Sequence, residues 1–223
     1  MTTPSGCTGP ITDPSHPAPR ASWRQRWYAA ALARTSPHYE RLVHDRKQAL
    51  FTPLTGVILE LGPGTGPNLK YFRPDTQWIG VEPNPAMHPY LQQEAAELGR
   101  AVELRNLEDG RLPAEDASVD AVVSTLVLCT VPDPAATVGE IIRVLKPGGR
   151  FVFLEHVAAP RHTGLRRLQR WVRPLWRHFT DGCHPDRETA LIIEQSGFSH
   201  VELERFSLPL AIVGPHIAGV AIQ

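Results

Sequence analysis

The segment best equipped for chemistry is Val57-Ile58-Leu59-Glu60-Leu61-Gly62-Pro63-Gly64-Thr65-Gly66, an apolar run that carries one acid and ends in three alternating glycines. Such a run reads as a buried strand entering a turn whose glycines allow positive φ and close approach of a ligand to the backbone. The segment from Pro67 to Phe72 is expected to be helical, with free N–H groups at its start forming an anion site. Glu60 lies two residues before Gly62. Its carboxylate would repel a pyrophosphate and attract an ammonium. The spacing is G-x-G-x-G with proline at position 67, whereas a dinucleotide fingerprint is G-x-G-x-x-G. The pattern points to a ligand with a free amine and a carboxylate rather than a diphosphate.

A second acid, Glu82, follows the apolar run Trp78–Val81 and stands 20 residues after Gly62. At the end of a strand beside a glycine loop, a carboxylate can take both hydroxyls of a ribose. Asn106-Leu107-Glu108-Asp109 follows a weaker strand at Ala101–Arg105. Leu107 there could cover an adenine ring, while a backbone amide or the Glu108 carboxylate reads its edge; Asp109 reads as a turn former.

These elements sit in a regular order. Apolar runs at Val57–Leu61, Trp78–Glu82, Ala101–Arg105, Asp120–Leu128 and Phe151–Glu155 alternate with helical segments at Met87–Leu98 and Ala135–Leu145. Strands separated by helices indicate βαβ units, hence a parallel sheet covered on both faces. The end of the chain breaks this rhythm. After a helix at Arg187–Ser196, two strands, Val201–Phe206 and His216–Ile222, follow with a short connection, as an antiparallel pair would.

The motifs Glu60-Leu61-Gly62-x-Gly64-x-Gly66, Glu82, Leu112-Pro113 with Ser118-Val119-Asp120, and Leu145-Lys146-Pro147-Gly148-Gly149 resemble class I S-adenosylmethionine-dependent methyltransferases. The resemblance implies an α/β, Rossmann-like, seven-stranded, mostly parallel sheet with an antiparallel final strand. It implies S-adenosyl-L-methionine as cofactor, its methionine part held by Glu60 and the glycine loop and its ribose by Glu82. The expected cofactor set is Glu60, Gly62, Gly64, Gly66, Glu82, Pro83, Leu107, Glu108, Thr125 and Leu126. A narrower similarity, through Ser124–Cys129, Leu154–Ala158, Asp181-Gly182-Cys183 and Pro215–Gly219, is to the methyltransferase-like group that methylates alkyl thiols. Its animal members begin with a hydrophobic anchoring segment; this chain begins with a proline-rich one.

Methyl transfer needs a nucleophile aligned with the activated methyl and a means of removing its proton. Catalytic candidates come from the C-terminal ends of the strands. His156, directly after the fifth strand, is the first choice as base, with Asp181 and His184 as a carboxylate–imidazole pair in the insert that follows. His216 reads as a satisfied edge-strand histidine. Cys129 and Cys183 read as buried, inert thiols, and the histidines lack ligand-like spacing, so no metal is expected. The insert from 157 to 185 contains, between Arg161 and Phe179, six arginines and no acid. Apolar residues recur there at helical spacing, and Pro174 is expected to break or restart the helix. It reads as a lid or as a peripheral contact with anionic lipid.

The rest of the chain sets limits. With 223 residues there is room for one domain. Twenty-three basic and 23 acidic residues cancel, which argues against a nucleic-acid partner held by bulk charge. No apolar stretch approaches the roughly 20 residues of a membrane span. No secretory signal is visible, and three scattered cysteines make neither a disulfide framework nor a four-ligand zinc site. A reducing, cytoplasmic location follows as the expectation. Residues 1–20 read as a disordered proline-rich leader, and 21–51 as two capping helices divided at Ser36-Pro37 ahead of the catalytic domain at 52–223. The expected activity is methylation of a small apolar acceptor, an alkyl thiol by resemblance. The alternatives are C- or N-methylation of a quinone-type or lipid-headgroup acceptor, or an inactive cofactor-binding regulator. The sequence leaves the oligomeric state open.

Overall fold

The computed structural model describes residues 20–107 and 110–223. The expected leader therefore lies, except for Arg20, outside the described residues, as do Glu108 and Asp109. Seven strands form one sheet: β1 (Val57–Leu61), β2 (Gln77–Val81), β3 (Glu103–Leu104), β4 (Val119–Thr125), β5 (Leu145–His156), β6 (His200–Ser207) and β7 (Pro215–Ile222). Their spatial order is β3-β2-β1-β4-β5-β7-β6. The first five pair in parallel, and β7 runs antiparallel to both neighbours, β5 and β6. The α/β sheet with a reversed final strand is as expected. β7 lies inside the sheet, so His216 is not an edge residue.

Both faces are covered. Leu59, Val122, Phe151 and Phe153 pack with Val138, Ile141 and Val144 of α3 (Pro134–Val144) and Ile193 of α5 (Thr189–Glu194). On the other face Ile58, Trp78, Val123 and Val152 meet Phe51 of α1 (Trp23–Phe51) and Leu91 of α2 (His88–Glu97). Capping explains where helices start. Asp133 accepts from the Ala135 and Ala136 amides ahead of α3, and Thr163 from the Arg166 amide ahead of α4 (Gly164–Phe179). Asp120 fastens the base of the sheet by accepting from the Val57 amide and pairing with Lys146 at 2.7 Å. The Lys146–Gly149 turn is absorbed as an irregular start of β5, where the register jumps from Val119–Leu145 to Ala121–Arg150.

Three expected elements differ. Pro67–Phe72 supplies only a single 3-10 turn, Leu69–Tyr71, so no helix N-terminus stands there to hold an anion. α1 is one helix of 29 residues running through Pro37. The proline removes one backbone bond, but the buried face of Ala29, Glu40, Val43, Lys47 and Phe51 keeps one docking surface across it. Pro174 likewise sits inside α4 without ending it. Among the described residues no helix is long and apolar enough to cross a membrane.

α1 carries a buried ion pair. Lys47 is fully buried and donates to Glu40, which also accepts from the Tyr71 hydroxyl at 3.2 Å. A buried charge left without its partner is costly. Glu40→Ala is expected to lower unfolding free energy in urea by about 3–5 kcal/mol. Replacing both partners, Glu40→Leu with Lys47→Met, should cost less than the single change. Equal costs would show that Lys47 is not held by Glu40.

Candidate active site

The C-terminal ends of β1, β2, β4 and β5 bring together the glycine turn, Glu82, Leu126–Cys129 and His156. Gly62 and Gly64 adopt φ of +53° and +58°. A Cβ on Gly62 would stand 2.7 Å from Val127 Cγ2, so only glycine brings the turn this close to the segment after β4. Glu82 stands at the end of β2, beside the glycine turn. One carboxylate oxygen accepts from the Gly64 amide at 2.9 Å and the other from the Asn84 amide at 2.8 Å. Each oxygen keeps a lone-pair direction for a further donor. Burial raises the Glu82 carboxyl above its ordinary range, and the two amides oppose that shift.

Glu60 is buried, and its oxygens accept from Asn68 Nδ2 at 2.6 Å and Trp78 Nε1 at 2.8 Å. The carboxylate thus holds two neighbouring protein groups. Asn68 Nδ2 also donates to Thr125 Oγ1 at 3.1 Å, while Asn68 Oδ1 is buried with no partner. Asn68 had no sequence motif to reveal it. Glu155 was equally unexpected in this role. Fully buried, it accepts from Ser124 Oγ and the Val127 amide, holding the turn in which Leu126 reaches φ +59°. Pro83 and Leu107 are exposed.

At the end of β5 three side chains converge. His156 Nε2 lies 3.0 Å from Cys183 Sγ, and Cys183 Sγ lies 3.6 Å from Cys129 Sγ. All three are buried, and their donor atoms lie within 4.8 Å of one another. Trp176 Nε1 donates to Cys183 at 3.4 Å. The hydrogen bond between the sulfurs and then the His156 imidazole hold the Cys183 thiol well below the usual range, whereas that bond and burial push Cys129 up. The two cysteines are therefore not isolated fillers. Residues 129, 156 and 183 come from separate elements, a juxtaposition that no local spacing could announce.

Asp181 and His184 are not brought together: no hydrogen bond or ion pair joins them among the described residues. Asp181 is exposed at φ +53°, within 3.4 Å of Asn84 Nδ2, and the His184 amide donates to Cys129 O. Burial lowers the His184 imidazole's affinity for a proton. His216 Nδ1 lies 2.8 Å from Gly214 O, and its Nε2 is buried without a partner. Arg187 ties the Cys129 segment down through Leu128 O and Val131 O.

α4 crosses this end of the sheet. Gln169 is buried and pins it, accepting from the Ala159 amide and donating to Ile212 O. The outer face of α4 exposes Trp171, at 81%, and Leu175, at 67%. Phe179 makes an edge contact with Trp27 of α1, and a cavity of about 240 Å³ opens between Trp27, Tyr28, Phe179 and Asp181. A larger groove, about 650 Å³, lies between α1 and α2, where Glu40, Lys70 and Glu94 contribute to its lining.

The family model described as "Methyltransferase domain" matches residues 59–153. Thiol S-methyltransferase TMT1B of Homo sapiens is 36% identical over 212 residues, covering 88% of this chain and 86% of its own length. Thiol S-methyltransferase TMT1A of Homo sapiens is 33% identical, covering 89% and 87%. Among solved structures, the methyltransferase bound to the Haloferax volcanii Trm112 activator superposes with a TM-score of 0.65 at 18% identity, over 92% of this chain and 99% of that one. At that identity the likeness shows the fold alone.

Burial pushes Glu60 up to about 7 from 4.5. A carboxyl whose folded value is raised contributes stability below its unfolded value and loses it as pH rises through the folded one. Glu60→Gln removes that loss, and the Asn68 amide can rotate to meet it. Between pH 5 and pH 8.5, urea unfolding should shift in favour of the variant by on the order of 2 kcal/mol. A difference independent of pH would show Glu60 to be ionised throughout.

Proposed function

Because the chain belongs to the S-adenosylmethionine-dependent methyltransferase family that includes the thiol S-methyltransferases TMT1A and TMT1B, we propose that it methylates the sulfur of a small apolar thiol. Kinship over 88% of the chain with a protein named for that reaction carries the reading. It favours sulfur over the quinone-type and headgroup acceptors. A buried cluster of two thiols and an imidazole at the end of β5, and a cavity walled by Trp27, Tyr28 and Phe179, support it.

The residues present fit the cofactor at two points. Asn68 Oδ1 is an unpartnered buried acceptor beside the glycine turn, suited to an ammonium donor. Glu82 offers both oxygens beside Gly64 for the two ribose hydroxyls. Glu60 acts behind them, fixing Asn68 and, through its charge, favouring a nearby cation. Thr125 and Leu126 would border the sulfonium end, and Leu107 would cover the adenine. When bound, S-adenosylmethionine supplies an electrophilic methyl group on a sulfonium.

The protein's own task is to hold a thiol in line, keep water out and take its proton. A thiol attacks as its thiolate, with a reference pKa of about 8.5 for cysteine. In this arrangement His156 is not a free base, because Nε2 already meets Cys183. The acceptor's proton is proposed to be lost beside Cys183 and His156. Asp181 and Tyr28 border the mouth.

The exposed face of α4 is proposed as a contact with an anionic membrane surface, which would gather lipophilic thiols near the mouth. Trp171, Leu175 and Phe179 alternate there with arginines, and Arg161–Phe179 contains no acid. Arg161, Arg166 and Arg173 are drawn back to Glu188 and Asp186, leaving Arg167, Arg170 and Arg177 as the cations of that contact.

An acceptor panel of alkyl thiols, quinols and ethanolamine lipids, with radiolabelled cofactor, tests the reaction. Thiol turnover is expected, and quinol turnover without thiol turnover would refute it. Glu82→Ala should weaken cofactor binding by about 2–3 kcal/mol in calorimetry; unchanged affinity would remove Glu82 from the ribose site. Trp171→Ser with Leu175→Ser should cut sedimentation with phosphatidylserine vesicles about tenfold and leave turnover of a water-soluble thiol intact. Equal sedimentation would overturn the membrane contact.

A further inference from the structure

We propose that Cys129, His156 and Cys183 form a three-ligand site for one zinc ion, whose fourth position receives the sulfur of the acceptor. The site itself stands on geometry; only its occupant at the fourth position rests on the thiol reading above.

The donor set is two thiols and one imidazole, the combination that selects zinc among abundant divalent ions. A tetrahedral zinc with Zn–S near 2.3 Å and Zn–N near 2.0–2.1 Å spaces its ligand atoms about 3.5–3.8 Å apart. Here the sulfurs are 3.6 Å apart and Nε2 is 3.0 Å from Cys183 Sγ. All three ligand atoms lie within 4.8 Å of one another, so metal binding would need the imidazole to shift from Cys183 to a position spaced evenly from both sulfurs. All three side chains are buried, so a bound ion would be shielded from competing water. His156 Nδ1 has no protein partner, and it would carry the ring proton when Nε2 is a ligand. Arg187 fixes the Cys129 segment through two carbonyls, and Trp176 donates to Cys183. These contacts hold two ligands in place.

Three protein ligands with one open position is the arrangement of catalytic rather than structural zinc. Loading the ion expels the protons of Cys129 and Cys183. An entering thiol, RSH, then gives up its proton to solvent as its sulfur bonds to zinc. That sulfur attacks the methyl group. A sulfur–carbon bond forms, the sulfonium–methyl bond breaks, and its electron pair stays on the departing thioether. The acceptor is thereby held as a thiolate without a free base at the site, which matches the engagement of His156 Nε2.

The test uses the full chain, kept reduced with a phosphine and stripped with a chelator. Zinc and, separately, cobalt are then titrated. Expected are one ion per chain, cobalt–thiolate charge-transfer absorption, and protection of Cys129 and Cys183 from alkylation. Cys183→Ser and His156→Gln should each weaken zinc binding at least 100-fold, with folding checked by circular dichroism. Adding an alkyl thiol should shift the cobalt spectrum. No binding at micromolar zinc, or equal binding by the variants, would overturn the site. A cobalt spectrum indifferent to thiols would overturn the open fourth position. Thiol methylation by zinc-free enzyme would reject the zinc step and leave the S-methylation reading standing. Zinc bound without methylation of any thiol would reject S-methylation and leave the ion site in place.

Discussion

The upper edge of the sheet is organised around one buried carboxylate. Glu60 joins β1 to β2 through Trp78 and to the segment after the glycine turn through Asn68. Asn68 in turn reaches Thr125 at the end of β4. Three strands are thus tied by hydrogen bonds to or through a group that burial alone would make unwelcome. Such a network is tolerable only when its members are paired, and one atom, Asn68 Oδ1, is not. An unpaired acceptor in an otherwise satisfied cluster is where a ligand's donor belongs.

The same construction recurs one step along the sheet. Glu155 ends an apolar run on β5 as Glu60 ends one on β1, and it secures the turn after β4. Burial raises both carboxyls. The two acids therefore act as internal braces for the crevice, while the Glu82 carboxylate is bonded only to backbone amides. On α1 the buried Glu40, paired with Lys47, accepts from the Tyr71 hydroxyl and so ties that helix to the segment after the glycine turn.

Much of this was legible in the sequence, because periodicity and glycine spacing are local. The alternation of apolar runs and helices fixed the parallel order, and the tight approach of Gly62 to Val127 explains why the turn needs glycine there. Glu82 could be read because the end of β2 leads directly into the crevice. The failures share a cause. Ser36-Pro37 and Pro174 are local stop signals that continuous packing of α1 and α4 overrides. Glu60 could be seen as an acid beside the loop, but its partners, Asn68 and Trp78, lie 8 and 18 residues away. Cys129, His156 and Cys183 meet only because β4, β5 and the segment after α4 end at one place. Asp181 and His184, neighbours in sequence, separate because the turn between them directs one outward and binds the other's backbone to Cys129.

We propose that the cofactor lies at the ends of β1, β2 and β4, and not in the larger groove between α1 and α2. A crystal structure of the chain soaked with S-adenosylhomocysteine decides between the two places. Expected are ribose hydroxyls on Glu82, the amino group beside Asn68, and the sulfur facing Cys129 and Cys183. Density in the groove lined by Glu40, Lys70 and Glu94, with the glycine turn uncontacted, would contradict it.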